Sequence, residues 1–199
     1  MVIAITGALS TLLLAAAATA KQKAKTAGCA NNLRQIGVAA HAFAADNNGR
    51  FPAQLLWSDD AEVSASAVFK AIAYNSSPSI LRCSAENRKA APNSDYVVSY
   101  GINEQATPEQ PSSLLALDRS SESAGFTRAS SDEAEWDEST ALHHASKGNA
   151  LHTDGSVKQL SDKGLRSLLK HSLDMVSDGY IYIPVPASGI LNTGRAIGQ

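Results

Sequence analysis

Residues 1–50, MVIAITGALSTLLLAAAATAKQKAKTAGCANNLRQIGVAAHAFAADNNGR, read as one uninterrupted helix in two halves. Residues 1–20 are apolar apart from Thr6, Gly7, Ser10, Thr11 and Thr19, and Lys21 is the first charge. The run continues without proline until Asn47-Asn48-Gly49-Arg50-Phe51-Pro52 stops it. In the second half Cys29, Leu33, Ile36, Ala40 and Phe43 recur at steps of four and three, which places them on one helical face. Val38 and Ala39 widen that stripe, while Asn31, Asn32, Arg34, Gln35 and Asp46 lie mostly off it. About twenty residues at a rise of 1.5 Å reach roughly 30 Å, the thickness of a bilayer core. Ala, Thr, Ser and Gly dilute the run, and its strongest part is Val2, Ile3 and Ile5 with Leu12, Leu13 and Leu14. The first half therefore predicts a single-pass membrane anchor or a filament core, and the second half packs on a domain. A rival reading takes Ala18-Thr19-Ala20 as a signal peptidase site, which releases a secreted or cell-surface binding module beginning at Lys21.

The rest of the chain amounts to one domain, so the division is 1–20 for the apolar segment and 21–199 for a globular unit that includes the amphipathic half-helix. A second helix is expected over 61–74, with Val63, Ala67, Val68, Ala71 and Ile72 on one side and Ser58-Asp59-Asp60 as its cap. Short strands are expected at 80–83, 96–102 and 113–117, the middle one half-buried by its alternation. Residues 119–140, rich in Ser, Asp and Glu, read as a long surface loop. Residues 149–160 read as a hairpin closed by a two-residue Asp154-Gly155 turn, with His152 opposite Val157 and Thr153 opposite Ser156. A third helix follows over 162–173, capped by Ser161, with Leu165, Leu168, Leu169 and Leu173 inward. A strand at 180–183 precedes a loosely ordered tail. The class is α+β, a long N-terminal helix on an antiparallel sheet.

A net charge of −2 gives no broad electrostatic case for nucleic acid. Lys21, Lys23, Lys25 and Arg34 form the one notable basic cluster in the sequence, placed to meet lipid headgroups or water. The two cysteines, Cys29 and Cys83, leave nothing unpaired if they bond. A bond would stabilise by about 4 kcal/mol in the chain-entropy model; the alternative is two buried thiols. His143, His144, His152 and Asp154 offer imidazoles and a carboxylate to a metal, as a metal-dependent enzyme would need, although a turn explains Asp154 and a strand explains His152. Asp132, Glu133 and Asp137 offer oxygen ligands for calcium or form a solvated loop, and they lack regular Asp-x-Asp spacing. The chain carries no G-x-S-x-G, H-E-x-x-H, P-loop or dinucleotide fingerprint, so no enzyme activity and no obligatory cofactor are expected.

Cys29-Ala30-Asn31-Asn32-Leu33-Arg34-Gln35-Ile36-Gly37 resembles the C-x-N-N-L-[KR]-Q-[IL]-G run of bacterial type IV pilin-like proteins and type II secretion pseudopilins. Asn48-Gly49-Arg50-Phe51-Pro52 resembles the N-G-x-[FY]-P segment that often follows there. His144, nine residues, then Asp154-Gly155 is similar to the H-X9-DG signature of a prepilin-like subgroup, and Gly148, Asn149 and Val157 fit its fuller form. Cys83-Ser84 resembles that subgroup's C-P-S element, and Ser99-Tyr100-Gly101-Ile102-Asn103 its S-Y-x-x-N strand. The resemblance implies a pilin-like fold and a structural subunit of a type IV pilus or type II secretion pseudopilus-like filament. It implies other pilin or pseudopilin subunits, the assembly machinery and the bacterial inner membrane as partners, with the domain in the periplasm or exterior. Some major pseudopilins of this kind carry calcium. The family's basic leader, cleavage site and early glutamate do not precede Val2, so Met1 is expected to align several residues inside the mature helix.

Overall fold

A computed structural model of the chain describes residues 2–56, 65–73, 76–85, 98–118, 126–127, 130–136, 144, 146–176 and 180–181. Helix α1, Val2–Asp46, runs unbroken as its sequence predicts. It ends where Asn48 and Gly49 take positive φ, and the Gly49 N–H reaches back to the Ala44 carbonyl at 2.8 Å, a Schellman closure. Pro52 then opens α2, Pro52–Leu56, where its fixed φ suits the first turn, and the Gln54 side chain accepts the Phe51 N–H. Helix α3 spans Ala65–Ala73 and buries Val68, Phe69 and Ile72; Ser58, Asp59, Asp60 and Val63 lie outside the described residues.

Four antiparallel strands form the main sheet in the order β1 (Tyr100–Ile102), β2 (Leu114–Asp118), β4 (Gly148–His152), β5 (Val157–Leu160). A two-stranded ribbon pairs β3, Phe126–Thr127, with β6, Tyr180–Ile181. Helix α1 covers one sheet face, with Cys29, Leu33, Ile36 and Ala40 against Leu115, Ala116 and Leu151. Helix α4, Asp162–Asp174, covers the other, with Leu165, Leu168, Leu169 and Leu173 against Leu114, Leu117 and Ala150. The α+β class stands as a helix–sheet–helix sandwich.

Several expectations are corrected. The 96–102 segment is not half-buried in its described part: Val98, Ser99, Tyr100, Gly101 and Ile102 are all buried. Residues 80–83 are not a strand. Ser77 caps and Pro78 opens a 3-10 turn over Pro78–Leu81, which sends Ile80 and Leu81 into the core. The expected surface loop contains β3, a 3-10 turn over Ser130–Asp132 and the buried Ser131, Ala134 and Trp136. On α1, Ala44 is buried while Phe43 is half-buried, and Val38 faces solvent at 71% exposure. Ser161 sits at the N-cap of α4, but its hydroxyl makes no capping bond.

The hairpin exists with a different register. Leu151 pairs with Val157, and the His152 N–H reaches the Ser156 carbonyl at 2.8 Å. The loop is therefore three residues, Thr153-Asp154-Gly155, in which Gly155 takes φ +83°. A type I turn followed by a left-handed glycine gives this geometry.

The single-pass inner-membrane placement is overturned. Among the described residues no helix is long and apolar enough to cross a membrane. Thr6 and Ser10 interrupt the apolar run and bond their hydroxyls to the carbonyls of Ile3 and Thr6, and three lysines close it. Ile3, Ile5, Leu13 and Leu14 stand 88%, 59%, 73% and 77% exposed, and the side chains of Val2 and Leu12 lie outside the described residues.

Candidate functional site

Cys29 on α1 and Cys83 after the 3-10 turn are joined in a disulfide with a Cα separation of 4.9 Å. The pairing ties the long helix to the segment that follows the 3-10 turn. His144 lies against it, with Nε2 3.3 Å from Cys83 Sγ. The other ring nitrogen, Nδ1, is 3.5 Å from Asn149 Nδ2 and 3.6 Å from Asp118 Oδ2. Asp118, at the end of β2, accepts the Asn149 backbone N–H at 2.7 Å and its side-chain amide at 2.8 Å. His144, Asp118 and Asn149 are each no more than 3% exposed. A buried carboxylate holding two N–H donors is stabilised, because a charge removed from water needs such partners.

Gly148, Thr153 and Asp154 of the same segment have separate structural tasks. A Cβ at Gly148 would stand 2.3 Å from Trp136 Cε3, so only glycine lets the indole lie on the strand. That indole is anchored by its Nε1–H to the Leu160 carbonyl at 2.9 Å. Asp154 Oδ1 accepts the Ser156 N–H at 2.8 Å, and the hydrogen bonds from Ser156 hold its carboxyl below the usual carboxylate range. The Asp154 position is thus a turn clasp. His41 of α1 donates from Nε2 to the Thr153 carbonyl at 2.6 Å, which docks the helix on the turn.

His144, His152 and Asp154 are not gathered as a metal site. His152 Nδ1 donates to the Ser112 carbonyl at 3.1 Å, and burial holds its imidazole below the ordinary histidine value. Asp132 pairs with Lys170, and Glu133 is exposed; Asp137 and His143 lie outside the described residues. Among the described residues the one group of metal-ligating side chains is Cys29, Cys83 and His144. Asp118 was not singled out by its sequence, because an acid closing an apolar strand reads as the start of a turn.

A cleft of about 550 Å³ opens between α1 and the β4–β5 hairpin. Lys23, Arg34, Lys147 and Gln159 line it, and it reaches His144 and Asn149. The expected basic cluster is thus divided: Lys23 and Arg34 face this cleft. Comparison of the chain with protein-family models, curated proteins and solved structures finds no match.

Proposed function

We propose that this protein is a pilin-like or pseudopilin-like structural subunit, which self-associates through the N-terminal half of α1. The observation that carries this reading is the division of one 45-residue helix. Its C-terminal half buries Cys29, Leu33, Ile36 and Ala40 in the domain, while Ile3, Leu13 and Leu14 remain more than 70% exposed. Apolar side chains in such an array lose about 25 cal/mol per Å² when they leave water, so they favour packing against the same segment of neighbouring copies. The Cys29–Gly37 run and the H-X9-DG arrangement support the same assignment by resemblance. So does the disulfide, which suits a chain that works in an oxidising compartment.

The role proposed is mechanical, with the globular domain displayed on the outside of a filament. Sedimentation and negative-stain microscopy of the full chain test it. The wild type should form elongated assemblies, and a Leu13→Asp, Leu14→Asp variant should remain monomeric with an unchanged far-ultraviolet spectrum. A wild type that stays monomeric across the concentration range would sink the reading.

A further inference from the structure

The sulfurs of Cys29 and Cys83 and a ring nitrogen of His144 lie within 4.8 Å of one another, all buried. A disulfide and a pair of thiolates differ by two electrons, so the same three side chains can present two different chemistries. We propose that Cys29, Cys83 and His144 form a redox-gated site for a soft divalent cation of the Zn²⁺ class. The site is closed while the disulfide stands and opens when it is reduced.

Four features carry this beyond proximity. The donor set, two sulfurs and an imidazole, selects a soft or borderline metal over calcium or magnesium. The imidazole is aimed, with Nε2 at Cys83 Sγ and Nδ1 toward Asp118 Oδ2. This is the carboxylate–histidine–metal order in which an outer carboxylate orients the ligand. Asp118 is itself fixed by two Asn149 donors. A dication with two thiolates and a neutral imidazole carries no net charge, so the buried setting opposes it far less than it opposes a bare ion. Finally, the cleft beside α1 reaches His144, so one of the three ligands borders space open to solvent.

The steps balance with a dithiol as reductant. The dithiol gives two electrons and two protons to the Cys29–Cys83 bond, leaving two cysteine thiols and a new disulfide in the reductant. The cation then binds both sulfurs and Nε2, and the two thiol protons pass to solvent. In the same event the ring proton moves to Nδ1, which faces the Asp118 carboxylate at 3.6 Å. With metal–sulfur bonds near 2.3 Å, a tetrahedral site holds the sulfurs roughly 3.8 Å apart. Turning Cys83, which sits outside any helix or strand, provides that separation. Three protein ligands leave a fourth position for water.

Cobalt(II) is the probe, added without oxygen to the full chain before and after reduction. The oxidised protein should take up none. The reduced protein should bind one equivalent, with sulfur-to-cobalt charge-transfer absorption and the visible bands of a tetrahedral ion, and Zn²⁺ should displace it. Asp118→Asn should weaken binding about 10–100-fold while leaving the charge-transfer bands in place. His144→Gln should weaken it further and move the visible bands. Far-ultraviolet dichroism is recorded with each titration, since reduction also removes a cross-link. A reduced wild type that binds no stoichiometric cobalt, folded or unfolded, overturns the proposal. So does binding that His144→Gln leaves unchanged.

Discussion

Glu104, in the turn after β1, is 7% exposed, and its Oε1 has no hydrogen-bond partner among the described residues. Burial pushes its carboxyl up from 4.5 to about 9. The folded chain therefore keeps a proton that the unfolded chain releases above its ordinary value. Stability from this group is fully present below about 4.5 and falls as pH rises toward 9. The slope is at most about 1.4 kcal/mol per pH unit. His152 acts in the opposite sense, since its lowered value removes stability as pH falls below 6.5. Above that value it is neutral in both states. Urea unfolding between about pH 7 and pH 9 isolates Glu104 for that reason. The wild type should lose stability steadily over this interval, and Glu104→Gln should flatten the decline and raise the midpoint at its alkaline end. Equal slopes in the two proteins would refute a buried protonated acid. Two glycines differ at the same scale. Gly148→Ala should cost about 1–3 kcal/mol because the Trp136 ring has to move. Gly155→Ala has open space around it, and should cost only about 1–2 kcal/mol from the left-handed backbone. Trp136 fluorescence should shift in the first variant and not in the second.

Among the elements, those with a helical period were legible in the sequence. The Cys29–Leu33–Ile36–Ala40 spacing defines the buried stripe of α1, and Leu165–Leu168–Leu169–Leu173 defines that of α4. Neither stripe says which surface it meets, so the double cover of the sheet was not legible from periodicity. Short apolar runs misled for a physical reason. Ile80-Leu81 fits a strand or a tight turn equally, and only the Ser77-Pro78 pair decides it. Asp154-Gly155 marked the hairpin correctly but not its register, because Gly155 serves as the third loop residue and not as the second. The cysteine pairing was open in the sequence and rests in the structure on the meeting of α1 with the segment before β1. Its removal is a test at this scale. The Cys29→Ser, Cys83→Ser variant frees a loop of separation 54. It should lose about 4 kcal/mol on the chain-entropy model, read as a lower urea midpoint. A loss under about 1 kcal/mol would mean that the buried stripe alone fixes this junction.

In the whole molecule, one helix divides into a buried and an exposed part, and under the proposed filament role the two have separable energetics. From Cys29 onward α1 is one wall of the core, whereas Leu13 and Leu14 are exposed in the monomer. Stability and self-association should therefore respond to different ends of the same element. Leu33→Ala removes a fully buried side chain beside Ile36 and should cost about 2–5 kcal/mol by transfer and cavity terms. Leu14→Ala changes a side chain that is 77% exposed, so the monomer's unfolding free energy in urea should stay within about 0.5 kcal/mol of wild type. Self-association, read by sedimentation, should respond in reverse. Leu14→Ala should shift the wild-type distribution toward monomer, whereas Leu33→Ala should leave the size of assemblies formed by its folded fraction unchanged. If Leu14→Ala instead lowered monomer stability as much as Leu33→Ala, the first half of the helix would be folded back on the domain in solution. The division on which the filament reading rests would then fail.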